Sequence, residues 1–317
     1  MTTALRYHWS RLKPASLPAP HFGSSMVYDP RNQHIVLVAG SATWLWDGST
    51  WSQASAPFPV RNSTHLAYDA GAQRVFLFGG IGLDGTPLND TWFWDGSIWQ
   101  EQHPATTPPP MGGAAITYDA ARQHMIVFGG ITGFDGIEGS NRVGTLLNET
   151  WLWDGTTWLE QQVDTTPPAR LGGQLVYDEA RQQTLLFGGS NADGYLNDLW
   201  QWNGTAWTMI AATTPLTPRA RPHLLFHRQA RQVVVMGGMS QAGRLHDVWL
   251  WDGTAWSEAA AIGAPPGSIE SAAYDAARDV VLAFVVTGSK PVPGNKHHPK
   301  PVDLSPPALA SETWTWG

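Results

Sequence analysis

The sequence repeats itself six times, and that periodicity limits the fold more than any other property of the chain. A Trp-x-Trp element stands at 44/46, 92/94, 151/153, 200/202, 249/251 and 314/316. Successive first tryptophans are 48, 59, 49, 49 and 65 residues apart, so insertions are confined to particular copies. Upstream of each lies a Tyr-Asp element, beginning at Tyr28, Tyr68, Tyr118, Tyr177 and Tyr274, and written Phe226-His227 in the fifth copy. Between the two an apolar run ends in Gly-Gly at 79/80, 129/130, 188/189 and 237/238. Asp-Gly or Asn-Gly follows Trp-x-Trp at 47/48, 95/96, 154/155, 203/204 and 252/253, and then comes one more tryptophan, at 51, 99, 158, 207 and 256.

Each copy reads as four short strands. The run into Tyr-Asp is one, closed by a polar turn whose Asp can bond its own downstream backbone. Pieces such as Ala120-Ala121-Arg122-Gln123 are too short for a helix and are followed at once by strand-forming residues, so they read as turns. The second strand is the apolar run before Gly-Gly, where glycine permits backbone that a Cβ would block. The third carries Trp-x-Trp, whose period of two puts both indoles on one face. The Asp-Gly hairpin signal then leads to the fourth strand and its single Trp. The sixth copy stops at Trp316-Gly317, before its fourth strand, and the missing strand matches Arg6-Tyr7-His8-Trp9-Ser10 at the other end of the chain. A closed ring explains both ends and removes the sheet edges that an open array would expose. The expected fold is all-β: six four-stranded antiparallel blades spanning about 20–54, 61–102, 111–161, 170–210, 219–259 and 267–317, the last completed by 6–11. Length alone would suggest about two domains; the ring makes 1–317 one.

The ring also accounts for an unusual composition. Eighteen tryptophans without a cysteine would suit a stacking surface for sugars or nucleic acid. Two per Trp-x-Trp and one per fourth strand use all 18, which assigns them to packing between sheets. Zero cysteine excludes disulfides, zinc–thiolate sites, iron–sulfur clusters and thiol nucleophiles. A net charge of -7 gives no general attraction to phosphate backbones, so no nucleic-acid partner is expected. The N-terminal segment has no apolar core and no stretch of eighteen apolar residues occurs, so the expectation is a cytoplasmic, monomeric protein with no membrane partner.

With these landmarks the chain resembles the kelch-repeat β-propellers of the galactose-oxidase-like superfamily, in their standalone bacterial form, over roughly residues 6–317. It departs from the pattern at Ala39-Gly40 and at Val285-Val286, both flanking the closure. The resemblance implies a six-bladed kelch-type propeller and is weak for function, since propellers host scaffolds and unrelated enzymes alike. The copper-radical oxidases of the superfamily need a cysteine cross-linked to a tyrosine, which this chain lacks. The Glu-x-x-x-Asp-x-x-x-His pattern of iron-dependent specifier proteins is absent. Sialic-acid mutarotases use a glutamate and arginines near the axis, and Glu138 and Arg142, in the loop after the third Gly-Gly, are the analogous candidates.

The resemblance also makes the strand before Tyr-Asp innermost, with the segment leading into it opening on one mouth of the axial channel. Seven residues before the Tyr position stand His21, Arg61, Met111, Arg170, Arg219 and Gly267; five before, Gly23, Ser63, Gly113, Gly172, Arg221 and Ile269; three before, Ser25, His65, Ala115, Gln174, His223 and Ser271. If the segment is extended that far, alternation puts all three sets on one face. Arg61, Arg170, Arg219, Arg221, His21, His65 and His223 then form a cationic mouth, with Gln174 beside them and Glu270 able to pair with one of the arginines. Guanidinium forks suit carboxylate or phosphate. Kelch repeats also use arginine at the seventh-upstream position structurally, to bond carbonyls of a neighbouring blade, and both roles are open for Arg61, Arg170 and Arg219. Acids at Asp90, Glu149, Asp198, Asp247 and Glu312, two residues before each first Trp, recur too regularly for catalysis and suit loop hydrogen bonding.

Two functions follow. One is a binding module whose Arg/His-rich mouth takes an anionic small molecule or an acidic protein segment. The other is an enzyme of isomerase, mutarotase or lyase type, with His65 and His223 as acid and base. No cofactor is expected. His297-His298 makes a poor metal site, because adjacent side chains diverge in an extended chain.

Overall fold

The computed structural model describes residues 7–56, 58, 60–133, 144–210, 216–259, 262–288 and 309–317. Six antiparallel sheets stand in a ring, a six-bladed β-propeller, and no helix occurs among the described residues. Blade 4 shows the plan: Gln174–Asp178, Gln183–Phe187, Leu199–Trp202 and Trp207–Met209 run from the axis outward, each paired with the next. Small two-stranded hairpins follow the second strands of blades 3, 4 and 5, and Arg61–Asn62 adds a fifth strand to blade 2. No helix of the described residues is long and apolar enough to cross a membrane.

The second strands are apolar at successive positions because both faces are covered by neighbouring blades. Leu186 packs toward blade 3, with Ile126 and Phe128. Leu185 and Phe187, one residue to either side, pack toward blade 5 with Val233, Val235 and Trp251. The same alternation repeats around the ring, so the core is a set of six interfaces and has no single centre.

Tryptophan builds each interface twice. The second Trp of Trp-x-Trp pairs across the strand with the fourth-strand Trp, as in Trp46↔Trp51 and Trp202↔Trp207, with ring centroids 5.3 Å apart in both. The four residues between them form a loop in which the Asp or Asn side chain accepts amides two and three residues on, as Asp47 does from Ser49 and Thr50. The fourth-strand indole N–H donates to a threonine of the preceding blade: Trp99 to Thr43, Trp158 to Thr91, Trp207 to Thr150, Trp51 to Thr313. Blades 4 and 5 carry Leu199 and Val248 where the threonine belongs, and the indole nitrogens of Trp256 and Trp9 have no partner among the described residues.

The ring closes where the sequence placed it. Trp9–Leu12 pairs with Ala310–Trp316, with Trp9 opposite Trp316, and completes blade 6 outside Ser268–Asp275 and Val280–Thr287. Tyr7 stacks on Trp316 at 4.2 Å between ring centroids. In blades 2 to 6 the first Trp of the third strand bonds the acid two residues before it, as Trp200 does Asp198 at 2.7 Å, and the pattern recurs at Asp90, Glu149, Asp247 and Glu312.

Candidate functional site

The inner strands Ser25–Asp29, His65–Asp69, Ala115–Asp119, Gln174–Asp178, His223–His227 and Ser268–Asp275 surround an axial cavity of about 560 Å³. Tyr28, Tyr118 and Tyr177 reach the preceding blade's turn, at Ala277, Gly71 and Ala121, at one end of the inner strands. Phe226 has no hydroxyl to do so; there Arg228 of blade 5 pairs with Glu179 of blade 4 at 2.8 Å.

At the other end the three upstream sets do not share a face. The inner strands of blades 1 to 5 begin only at the third-upstream residue. The fifth-upstream residue adopts left-handed backbone in Gly23, Ser63, Gly113, Gly172 and Arg221, with φ between 51° and 75°. That turn ends the alternation and sends the seventh-upstream side chains between layers, away from the axis. The backbone there forms an arc from blade to blade: Gly113 donates to the Ser63 carbonyl, Gly172 to that of Gly113, and Arg221 to that of Gly172 at 2.7 Å.

Arg61, Arg170 and Arg219 therefore do not line the channel, and the anion-binding role expected of them gives way to the structural one. All three are buried. Each holds its own blade's acid with two bonds: Arg61 to Asp90 at 2.5 and 2.7 Å, Arg170 to Asp198 at 2.7 Å twice, Arg219 to Asp247 at 2.7 Å twice. Each also donates to the first Gly-Gly carbonyl, of Gly79, Gly188 and Gly237. These carbonyls belong to the same blade, where the family pattern led us to expect a neighbouring one. The link to the preceding blade comes from the backbone: the carbonyls of Met111, Arg170 and Arg219 accept from Gly80, Gly130 and Gly189. Burial pushes the Asp198 and Asp247 carboxyls up, but the bonds and charge of Arg170 and Arg219 outweigh it and leave both below their ordinary range. His21 also lies off the channel, packed on Gly40, because blade 1 offers Ala42 where an acid would pair an arginine.

Arg221, His65, His223, Gln174 and Glu270 do line the cavity. Arg221 is exposed, and its guanidinium makes no hydrogen bond or ion pair among the described residues. His65 lies beside Gln174, whose amide nitrogen is 3.1 Å from its Nδ1. The same nitrogen is 3.4 Å from Nε2, and it donates to whichever nitrogen of the neutral ring lacks the proton. Burial first, and then the charges of Arg221 and His223, hold the His65 imidazole at about 4. His223 donates from Nε2 to the Ile269 carbonyl at 2.9 Å, which leaves Nδ1 as an acceptor. Burial lowers its pKa as well, against the opposing influence of that bond and Glu270.

Glu270 occupies a bulge, between Ile269 paired with Val285 and Ser271 paired with Phe284. A bulge re-aims its side chain, and Glu270 accepts the Gly23 amide at 3.2 Å, taking a place a backbone carbonyl holds elsewhere in the arc. It pairs with Arg244 at 3.3 Å, and with none of the arginines of the upstream sets. Arg244 also bonds Ser268 and lies over the Phe22 ring at 5.8 Å. Sequence reasoning passed over Arg244; its signal was the Gln241-Ala242-Gly243 turn, in a loop position known to rim the mouth. Glu138, Arg142, His297 and His298 lie outside the described residues, and among the described residues no group of three His, Asp or Glu is placed to hold a metal.

No family model matches the chain, and no curated protein matches it. Among solved structures it is similar to that of YjhT, with a TM-score of 0.64 over 85% of this chain and 92% of that one. The two are 15% identical, a level that speaks for the fold alone. The chain folds as a six-bladed β-propeller.

Proposed function

We propose that the axial channel binds a small anion, a carboxylate or a phosphate, with Arg221 as its principal contact. One observation carries this. Arg221 takes a left-handed backbone position that glycine or serine fills in four other blades, at a cost of roughly 1 kcal/mol or more for a residue with a Cβ. In return it sends an unpaired guanidinium into a cavity, where a fork of N–H donors matches an oxyanion. The neutral His65 ring and the Gln174 amide supply further contacts. The concave setting favours a small molecule over an acidic protein segment, which would need the cations on an open face.

A second reading, acid–base isomerisation, mutarotation or lyase chemistry on the same anion, draws on the His223 ring. Its Nε2–H is committed to Ile269, so Nδ1 keeps a lone pair able to take a proton from a bound substrate.

Calorimetric titration with a panel of small carboxylates, phosphate and sulfate tests the binding reading. At least one should bind the wild type, and Arg221→Ala should abolish that binding while the protein melts as before. No heat from any member of the panel would sink it.

A further inference from the structure

Among the described residues, the charges around the channel are nearly cancelled, with one exception. Five of these residues that line it are charged, and Glu179 pairs with Arg228 and Glu270 with Arg244. Arg221 remains, with the imidazoles of His65 and His223. We propose that the channel mouth takes up a proton together with its anion, the proton going to His65, so that the anion is held more tightly as pH falls. This rests on the anion reading above.

Among the described residues, no carboxylate is free to stabilise a charged His65. On its own strand, Tyr68 and Asp69 lie toward the far end, and Asp69 accepts the Ala72 amide. The second strand of its blade sets Phe78 opposite it and brings Arg74 opposite Asp69. Blade 1 contributes Ser25, Tyr28 and Asp29, the last taken by the Arg31 amide. Blade 3 contributes Tyr118 and Asp119, which Arg122 holds at 2.9 Å. Arg61 is bound to Asp90. What faces His65 across the channel is Gln174, Arg221 and His223, and the last two disfavour a positive ring.

An anion on Arg221 reverses this balance. It neutralises the guanidinium and puts negative charge beside the imidazole, which favours the imidazolium. Gln174 serves both states: its nitrogen donates to the neutral ring, and after rotation of the amide its oxygen accepts from the protonated one. The coupling is reciprocal, so whatever the anion adds to proton affinity the proton adds to anion affinity. The sign follows. The complex carries more protons than the free protein between the free-state and bound-state pKa values of His65, and affinity rises as pH falls through that window. It levels off below the free-state value of about 4.

Sulfate, which does not titrate in this range, is the probe. Its affinity is measured by calorimetry from about pH 8 to about pH 5 in two buffers of different ionisation enthalpy, which counts protons taken up. For the wild type the affinity should rise at least about threefold between pH 7 and 5, short of the tenfold-per-unit limit for one proton, with net proton uptake. In His65→Asn and His65→Gln both the pH slope and the uptake should vanish. Equal affinity at every pH without uptake, together with binding lost in Arg221→Ala, would overturn the coupling and leave the anion site standing. A slope surviving in both His65 variants would overturn it by placing the proton elsewhere. No sulfate binding at any pH would remove proposal and anion reading together.

Discussion

Arg219 and Arg221 are two residues apart in one blade, and they do opposite things. Arg219 obeys the repeat: it is buried, spends its guanidinium on Asp247 and the Gly237 carbonyl, and has equivalents in Arg61 and Arg170. Arg221 breaks the repeat: it holds a glycine position with φ at 51° and turns an unpaired guanidinium to the channel. Residue type alone tells nothing here. A cation that recurs with its acid belongs to the architecture, and one that appears once, at some conformational cost, is a candidate for function.

Other departures in blade 5 fit this distinction, because the structure compensates them. Phe226 lacks the hydroxyl that its tyrosine counterparts turn toward the preceding blade, and Arg228–Glu179 links blade 5 to blade 4. His227 replaces the turn aspartate, and its Nδ1 accepts the Ala230 amide in place of a carboxylate. Arg221 has no such account in the fold.

The comparison can be broken most forcefully at Arg219. Arg219→Ala removes the guanidinium from the Gly237 carbonyl and from Asp247, which keeps only the Trp249 indole as a side-chain donor among the described residues. It should cost about 3–5 kcal/mol in chemical denaturation, the usual result of removing one partner of a buried pair. Asp247 should then lose its lowered pKa. A depressed carboxylate stabilises the fold above its unfolded value and loses that contribution as pH falls through the folded value. The wild type should therefore lose stability on acidification below the ordinary carboxylate range by more than the variant does. A variant as stable as wild type would erase the distinction drawn here.

A smaller effect of opposite sign belongs to Arg221. Arg221→Gly relieves the left-handed backbone and should raise stability by about 1 kcal/mol while anion binding is lost. If stability fell by as much as in Arg219→Ala, Arg221 would be a second structural arginine. The smallest effect tests repeat positions that carry no charge. Thr91→Val removes the acceptor for the buried Trp158 N–H and should cost about 1 kcal/mol, whereas Val248→Thr supplies one for Trp9 and should change stability by less than about 1 kcal/mol, upward. Equal losses in both would mean that the Trp–Thr bond does not stabilise the interfaces.

The fold was legible in the sequence down to the closing strand, because the determinants of a blade are local and repeated. Trp-x-Trp, Gly-Gly and Tyr-Asp each mark a strand or its end, and six copies average out the ambiguity of any one. The site was legible only in part. Arg221, His65, His223 and Gln174 reach the channel as the alignment predicted, while Arg61, Arg170, Arg219 and His21 do not. The error has one physical source. Alternation was carried through the fifth-upstream position, where backbone with positive φ resets the direction of every side chain before it. Five copies with glycine, serine or arginine there hinted at a turn, but only the arc of bonds from blade to blade shows it.

The sequence by itself determined that this chain closes into six blades and that its tryptophans, acids and glycines are used up in doing so, since each recurs in register with the repeat. Only the tertiary structure decided which cations face the channel. That choice depends on one backbone dihedral per blade and on partners some 28 residues away, such as Asp247 for Arg219, that no local pattern joins.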